Sequence, residues 1–285
     1  MTVQGRAEIG VFGGSGFYTL LSDVRELKVD TPYGLPSDSV FLASVNGRAV
    51  AFMPRHGRHH TIPPHKINYR ANVWAMRSLG CQAIISPCAA GSLRKEIEPG
   101  HFVVSDQFVD RTSGRLDTFY DGPIVTHLSA AEPYDATLRK AAIQTIRDHG
   151  IVCHETGTIV VIQGPRFSSK AESQWFREAG WHVINMTQYP EAHLCAELGM
   201  GVVNIALATD YDSGVHAGAE AVTATDVLAV FKSNSEKIKK VVLDLVGRLP
   251  ADLSGVGTHA ALKVSRGDGG APDDADVRLF DSCLR

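Results

Sequence analysis

Two aspartates separated by one residue, Asp210 and Asp212, follow a long apolar run at residues 202–209. In an extended chain, residues two apart point to the same face, so both carboxyl groups would share one pocket. Open α/β sheets bind ligands at the carboxyl ends of their strands, where this pair would lie. Because two neighbouring acids out of water seldom both ionise, one would keep its proton. Such a pair could accept from an amino group and donate to a ring nitrogen, as binding of a 6-aminopurine requires. A loop of solvated acids is the alternative.

A basic segment at residues 55–60 follows another apolar strand. The guanidinium of Arg55 offers a fork of donors that suits phosphate, and His56 adds one or two more. The histidines in this part of the chain also allow a metal site; they are His56, His59, His60 and His65. The neighbouring cations Arg55, Arg58 and Lys66 argue against a metal, because the sequence shows no nearby acid to offset the charge of a divalent cation. A structural or surface role is the third interpretation.

A glycine-rich segment, Gly13-Gly14-Ser15-Gly16, comes directly after an apolar strand. Its backbone N–H groups could approach an anion, and the Ser15 hydroxyl would add a donor. The segment is neither a dinucleotide-binding fingerprint nor a Walker loop, since Tyr18 and Thr19 stand where a third glycine should fall and no Gly-Lys-Ser/Thr follows. A tight turn without a ligand is the alternative.

Two further segments have residue types that suit a ligand. At residues 86–92, small side chains end a strand and could admit a ligand to the backbone, although a packed strand-to-loop transition fits equally well. Nothing local to Cys88 lowers the pKa of its thiol, so it is not a candidate nucleophile. Further on, Met186 could pack against a sugar or base, and Thr187 could reach an anion near a helix N-terminus. A methionine in the core is the alternative.

The elements that must position these residues alternate between strands and helices. Asn46-Gly47 between two apolar runs predicts a hairpin of residues 40–45 and 48–53. Apolar spacing predicts helices at residues 67–78, 136–149, 169–179, from Pro190 onward, and at 227–245. No internal repeat or linker divides the chain. We therefore expect one α/β domain with a central mixed, twisted β-sheet flanked by helices, over residues 8–250. The Gly- and Asp-rich remainder, residues 251–285, predicts a flexible tail.

Composition narrows the class of protein. The formal net charge of −3 gives no electrostatic reason to expect a nucleic-acid partner. The five cysteines are scattered and lack Cys-x-x-Cys spacing, which is typical of reduced thiols in the cytoplasm. The sequence has no signal-peptide pattern at its N-terminus and no apolar stretch of the ~18 to 20 residues that a membrane span needs.

Nine segments in order resemble the 5'-methylthioadenosine phosphorylase branch of the purine nucleoside phosphorylases. The resemblance covers about residues 8–250, and its segments are 13–16, 55–58, 68–72, 90–93, 106–112, 119–122, 164–169, 185–187 and 208–212. It implies the nucleoside phosphorylase fold and a reaction in which inorganic phosphate displaces adenine from the sugar of methylthioadenosine, within methionine and purine salvage. It implies no metal and no organic cofactor, small-molecule partners only, and a homotrimer or hexamer.

The resemblance also assigns roles by matched position. Asp210 would donate to N7 of the base as general acid, and Asp212 would bind the 6-amino group. The phosphate would be bound by Ser15, Arg55, His56, Cys88, Ala89 and Thr187. The nucleoside would be contacted by Met186 at the ribose, by Phe167 beside the base, and by His127 in the 5' pocket of a neighbouring subunit. Specificity positions would be Ser168 and Ala224.

Two positions depart from better-known members of that branch. Cys88 stands where threonine is usual, so a hydroxyl donor to phosphate is lost. Ala224 stands where valine lines the 5' pocket, which should loosen discrimination at the 5' substituent by roughly 1 to 3 kcal/mol at most. For this reason the sequence does not decide whether the protein prefers methylthioadenosine or adenosine as substrate.

Three alternatives remain. A 6-oxopurine or methylthioinosine phosphorylase would need an amide donor at the 6-position of the base. A nucleotide-binding module would need the third glycine as well as an acid about twenty residues beyond the loop, where Asp30 falls near the required spacing. A descendant without catalytic activity fits least, since nearly all anion and acid positions are filled.

Overall fold

The computed structural model describes residues 5–13, 23–121, 125–213, 224–257 and 263–265. In these ranges the strands are β1 (Ile9–Gly13), β2 (Arg25–Leu27), β3 (Val40–Val45), β4 (Arg48–Pro54), β5 (Ala83–Ser92), β6 (Phe102–Val104), β7 (Gln107–Arg111), β8 (Val125–His127), β9 (Cys153–His154), β10 (Thr158–Ile162), β11 (Val183–Asn185), β12 (Gly201–Tyr211) and β13 (Lys263–Ser265). The helices are α1 (Tyr69–Ser78), α2 (Ala136–Asp148), α3 (Lys170–Glu178), α4 (Gln188–Glu197) and α5 (Ala224–Arg248), with a 3-10 turn at Pro64–Lys66.

Eleven strands of the described chain form one mixed sheet in the order β2-β3-β4-β1-β5-β11-β10-β7, to which β12, β6 and β9 are joined. The central strand is β5, with β1 and β12 parallel to it and β11 antiparallel. Nearly every residue of β5 is buried, because both faces of the sheet are covered. The predicted α/β class with a mixed sheet is confirmed.

Helices cover the two faces of the sheet. On one face, Trp74 of α1 and Leu194 of α4 belong to the same core cluster. On the other face, Leu138 of α2 packs in a second cluster with Ile238 and neighbouring residues of α5. The apolar residues whose spacing predicted these helices are therefore the residues that the helices bury against the sheet. Removing this apolar area from water stabilises the fold by about 25 cal/mol per Å².

The hairpin of β3 and β4 is confirmed at the predicted residues. Asn46 and Gly47 have φ angles of 51° and 79°, both in the left-handed region that a two-residue hairpin turn requires. Val45 pairs with Arg48 across the turn.

Two strands extend further than the sequence indicated. β5 continues to Ser92, so the small-residue segment 86–92 lies within a strand rather than in a loop. The reason is pairing on both sides: these residues pair with β12 as far as Ser92, and Gly91 and Ser92 also pair with β11. The strands approach closely there, since a Cβ atom at Gly91 would lie 3.0 Å from Cγ2 of Ile184. β12 continues to Tyr211 and therefore includes Asp210. In α4, Tyr189 has non-helical dihedral angles, so the regular helix begins at Pro190 as predicted.

The end of the chain is described only in part. Leu253 and Val256 pack against the cluster that α2 and α5 share. The short strand β13 pairs antiparallel with β8. The predicted domain boundary at residue 250 and the flexible tail beyond it stay predictions. Among the described residues, no helix is both long enough and apolar enough to cross a membrane.

Candidate functional site

The two acids lie where β12 runs beside the end of β5. Asp210 pairs with Gly91, and the backbone N–H of Asp212 donates to the carbonyl of Ser92 at 2.9 Å. A Cβ atom at Gly91 would lie 3.3 Å from Oδ2 of Asp210 and 3.4 Å from Cβ of Asp212. Both acids therefore border the same space, as their spacing predicted. Glycine at position 91 leaves that space open.

A β-bulge sets the position of Asp210. The register of β12 against β5 shifts between Ala208 and Asp210, so Thr209 is the extra residue. The Thr209 hydroxyl lies 2.7 Å from Oδ1 of Asp210 and 3.3 Å from the Ala90 carbonyl oxygen. Asp210 is half-buried. The bulge and the hydroxyl together orient its carboxyl group at the end of the strand.

Asp212 is more deeply buried than Asp210. Asp212 is only 3% exposed, and its Oδ2 has no hydrogen-bond partner among the described residues. Burial raises the pKa of Asp212, and the hydroxyls of Ser173 and Ser168 oppose that rise only in part. A ligand amino group that donated to Oδ2 would favour the charged form and offset the cost of burial.

The guanidinium of Arg55 is bound by Glu191. Nε and Nη2 each lie 2.9 Å from a carboxylate oxygen of Glu191, and both residues are almost fully buried. Nη1 donates to the Pro87 carbonyl and Nη2 also to the Ser86 hydroxyl. Most of the fork that the sequence suggested for phosphate is therefore used within the protein: of the five N–H groups of Arg55, the described residues leave one, on Nη1. A contact of Arg55 with phosphate stays a prediction. Although burial opposes it, the Glu191 carboxylate raises the pKa of Arg55.

His56 is held by the backbone. Its Nδ1 lies 2.9 Å from the Ile62 carbonyl oxygen, which can only accept, so Nδ1 carries the proton. Burial lowers the pKa of His56 to about 4, with Arg55 and His60 adding to the effect. At neutral pH the ring therefore presents Nε2 as an acceptor, not the additional donor that the sequence suggested.

The second arginine of the basic segment, Arg58, is paired with acids. Arg58 donates to Asp38 at 2.6 Å and to Glu26 at 2.6 Å, which removes it from the anion site. Asp38 is also the nearby acid that the sequence did not reveal, since it lies twenty positions before Arg58. The described residues contain no group of three or more His, Cys, Asp or Glu side chains that could hold a metal ion.

Buried asparagines hold Cys88. Its Sγ accepts from Nδ2 of Asn204 at 3.3 Å and from Nδ2 of Asn185 at 3.4 Å. Burial raises the pKa of the Cys88 thiol, in line with the expectation that it is not a nucleophile. Ala89, next in β5, is half-buried. Neither asparagine was given a role from the sequence, although Asn185 begins the segment 185–187, because an amide in a strand has no local signal for its partner.

Thr187 and Met186 follow β11 directly. Thr187 is the N-cap residue of α4, and its buried side chain makes no capping hydrogen bond. The half-buried Met186 lies against Gly164, where a Cβ atom would lie 2.6 Å from its Sδ. Contacts join these residues to the others: Asn185 reaches Cys88, and Glu191 on α4 reaches Arg55. The structure thus brings together Arg55, Cys88 and the start of α4.

Arg115 is a further residue that the sequence did not indicate. Its Nη2 donates to the carbonyls of Gln163 and Met186, both at 3.0 Å, and its Nη1 donates to the Tyr69 hydroxyl at 3.2 Å. Nη1 also donates to the Tyr189 carbonyl. Arg115 therefore ties together the chain that follows β10, the chain that follows β11 and the start of α4.

The remaining predicted residues are placed as follows. Phe167 is half-buried and Ser168 is buried, just before α3. His127 ends β8 and is exposed; its contact with a second subunit stays a prediction. Ser15 lies outside the described residues, and of Ala224 only the backbone, at the start of α5, is described.

The mixed sheet and the site at the end of β5 and β12 define a class of protein: the chain belongs to the phosphorylase superfamily, whose sequence profile matches residues 8–247. It is 51% identical over 254 residues to a purine nucleoside phosphorylase of Streptomyces coelicolor, covering 86% of this chain and 90% of the relative. It is 47% identical over 249 residues to an S-methyl-5'-thioadenosine phosphorylase of Thermofilum pendens, covering 87% and 94%. A solved methylthioadenosine phosphorylase of Schistosoma mansoni in complex with adenine superposes with a TM-score of 0.84 at 34% identity, covering 90% and 99%.

Proposed function

We propose that the chain catalyses the reversible phosphorolysis of S-methyl-5'-thioadenosine to adenine and 5-methylthio-α-D-ribose 1-phosphate, as a pentosyltransferase. The observation that carries this proposal is the pair of acids at the end of β12, beside Gly91. Gly91 lies on β5, the strand that also holds Cys88 and Ala89. The names of the relatives from Thermofilum pendens and Schistosoma mansoni support it.

The chemistry assigns a task to each end of the site. The bond from C1' to the base breaks through a cationic, oxocarbenium-like sugar, so phosphate must be held at C1' and charge on the departing purine neutralised. Asp210 would protonate N7 of the leaving base as general acid. Asp212 would accept from the 6-amino group. Phe167 would lie beside the base and Met186 against the ribose.

At the phosphate end, Arg55 would contribute its one remaining Nη1 N–H and its charge. His56 would present Nε2, which can accept from a phosphate hydroxyl at neutral pH. The Cys88 and Ala89 backbone and the Thr187 side chain would complete the phosphate site together with Ser15. Thr187 suits this role because its side chain does not cap the helix that follows it.

The proposal includes the setting of the reaction. Inorganic phosphate is a co-substrate, and no metal or organic cofactor is required. The protein would act in the cytoplasm as a homotrimer or hexamer, with His127 entering the 5' pocket of a neighbouring subunit. Ser168 and Ala224 would act on specificity.

A purine nucleoside phosphorylase acting on 6-oxopurines is the second candidate. The observation that favours it is the state of Asp212: burial raises the pKa of this acid, and its protonated form could donate to a 6-oxo group. The relative from Streptomyces coelicolor is named a purine nucleoside phosphorylase, a name that covers either kind of base. A dedicated 6-oxopurine site would use an amide donor, whereas the described polar side chains beside Asp212 are the hydroxyls of Ser168 and Ser173.

One assay separates the two candidates. Purified protein with phosphate is given a panel of adenine and hypoxanthine nucleosides that carry methylthio or hydroxyl groups at the 5' position. We expect adenine release from methylthioadenosine to have the highest kcat/KM. A higher kcat/KM for hypoxanthine release from inosine would overturn the substrate assignment, and no release from any nucleoside would overturn phosphorolysis itself.

A further inference from the structure

Three buried polar atoms meet at the base end of the site. Oγ of Ser168, Oγ of Ser173 and Oδ2 of Asp212 each lack a hydrogen-bond partner among the described residues. Their residues are 7%, 1% and 3% exposed. An unpaired polar group away from water is costly, so buried polar atoms nearly always have partners. A cluster of three therefore marks a place built to receive a polar group.

The unpaired hydroxyl of Ser173 is unusual for its place in a helix. A buried serine or threonine within a helix commonly donates to the carbonyl four residues earlier. Thr145 in α2 does so, with its Oγ1 2.8 Å from the Ala141 carbonyl oxygen. In α3 the corresponding carbonyl, that of Ser169, accepts from the Ser173 backbone N–H at 2.9 Å, and the Ser173 hydroxyl is not bonded to it.

The packing of α3 directs Ser173 toward the acids. Phe176, one helical turn further on the same face, belongs to a core cluster with Ile184. Ile184 and both acids surround Gly91. Hydrogen bonding by the hydroxyls of Ser173 and Ser168 lowers the pKa of Asp212, against the larger effect of burial. Both hydroxyls therefore lie beside the carboxyl group, but neither forms a bond of ordinary length and angle with it.

We propose that Ser173 and Asp212 together form a subsite for the exocyclic amino group of a purine. Such a group has two N–H bonds; Oδ2 of Asp212 accepts one and Oγ of Ser173 accepts the other. Ser168 then donates its hydroxyl to the carboxylate and holds it in place. This subsite rests on the proposed function, because it needs a base in that pocket. It extends that function by making recognition of the amino group depend on two acceptors rather than one.

The test compares two bases that differ only in this amino group. Binding of adenine and of unsubstituted purine is measured by calorimetry, in phosphate buffer, for the wild type and for Ser173→Ala. The matched control is Thr145→Val, which removes a buried helical hydroxyl on α2. Thermal unfolding followed by circular dichroism checks that each variant is folded.

We expect Ser173→Ala to weaken adenine binding about tenfold, the effect of one lost hydrogen bond, and to leave purine binding unchanged. Thr145→Val should change neither. In turnover, kcat/KM for methylthioadenosine should fall in Ser173→Ala while the KM for phosphate stays the same.

Equal weakening of adenine binding and purine binding would show a structural role and overturn the proposal, as would unchanged adenine binding. If the wild type releases adenine and the Ser173→Ala variant prefers adenine over purine by the same factor as the wild type, only the proposed subsite is wrong. If the wild type neither binds nor releases adenine, the proposed function fails with it.

Discussion

The guanidinium of Arg55 and the carboxylate of Glu191 meet edge to edge in the interior, with two nitrogen–oxygen distances of 2.9 Å. Ser86 donates to the same carboxylate at 2.6 Å, and Gln188 donates to the Ser86 hydroxyl. The pair joins the end of β4 to α4, whose N-cap is Thr187. Glu191 thus fixes the direction in which Arg55 presents its remaining donor.

Replacing Glu191 tests this arrangement. Glu191→Gln leaves a buried guanidinium without its counter-charge, and we expect a loss of about 3 to 5 kcal/mol in the free energy of unfolding. Denaturant unfolding measures that loss. The KM for phosphate should rise more than the KM for nucleoside. The matched control is Glu236→Gln, which removes an exposed carboxylate paired with Lys239 and should cost about 1 kcal/mol or less. Equal losses in both variants would contradict the special role of the buried pair.

Asp210→Asn should slow the reaction by a factor of about 10² to 10⁴, because the leaving base loses its proton donor. Steady-state kcat with methylthioadenosine measures the loss. The base of a nucleoside that is already methylated at N7 can leave without protonation. We therefore expect kcat with such a substrate to change far less in Asp210→Asn. If both substrates lose the same factor, Asp210 is not the general acid.

Asp212 predicts a pH-dependent stability. Burial raises the pKa of this carboxyl in the folded state above its value of 3.8 in the unfolded chain. The folded state therefore binds the proton more tightly, and its stability falls as the pH rises through the interval between the two values. Asp212→Asn, which cannot ionise, should be more stable than the wild type at pH 7, and this advantage should shrink toward pH 3. Unfolding in denaturant across that range measures it, and a constant difference would contradict the raised pKa.

Cys88→Ser restores a hydroxyl that can accept from Asn185 and Asn204 while donating to phosphate. We expect the KM for phosphate to fall by about tenfold, since hydrogen bonds to charged groups contribute about 1.5 to 3 kcal/mol. Initial rates at varied phosphate measure it, with the KM for nucleoside as the internal reference. Cys88→Ala offers no donor, so an equal fall in that variant would assign the effect to side-chain size.

Local sequence patterns predicted much of the fold. The hairpin is set by Asn46 and Gly47, because only a few residue types accept left-handed angles at both positions of so short a turn. The start of the regular helix in α4 is set by Pro190, whose missing N–H has no intrahelical partner to lose. The spacing of Asp210 and Asp212 placed both acids toward one space. Each of these signals lies within a few residues of the structure it determines.

The sequence by itself therefore determined the class of fold, the strand that ends in the acid pair, and the order of the site segments. Only the tertiary structure decided which groups those residues meet. Glu191 lies 136 positions from Arg55 and yet accepts from two of its five N–H groups. The Ile62 carbonyl makes His56 an acceptor, and the packing of α3 directs the Ser173 hydroxyl toward Asp212. The physical reason is that the state of a buried polar group depends on its partners and on its distance from water, and both are set by packing between elements that are remote in the chain.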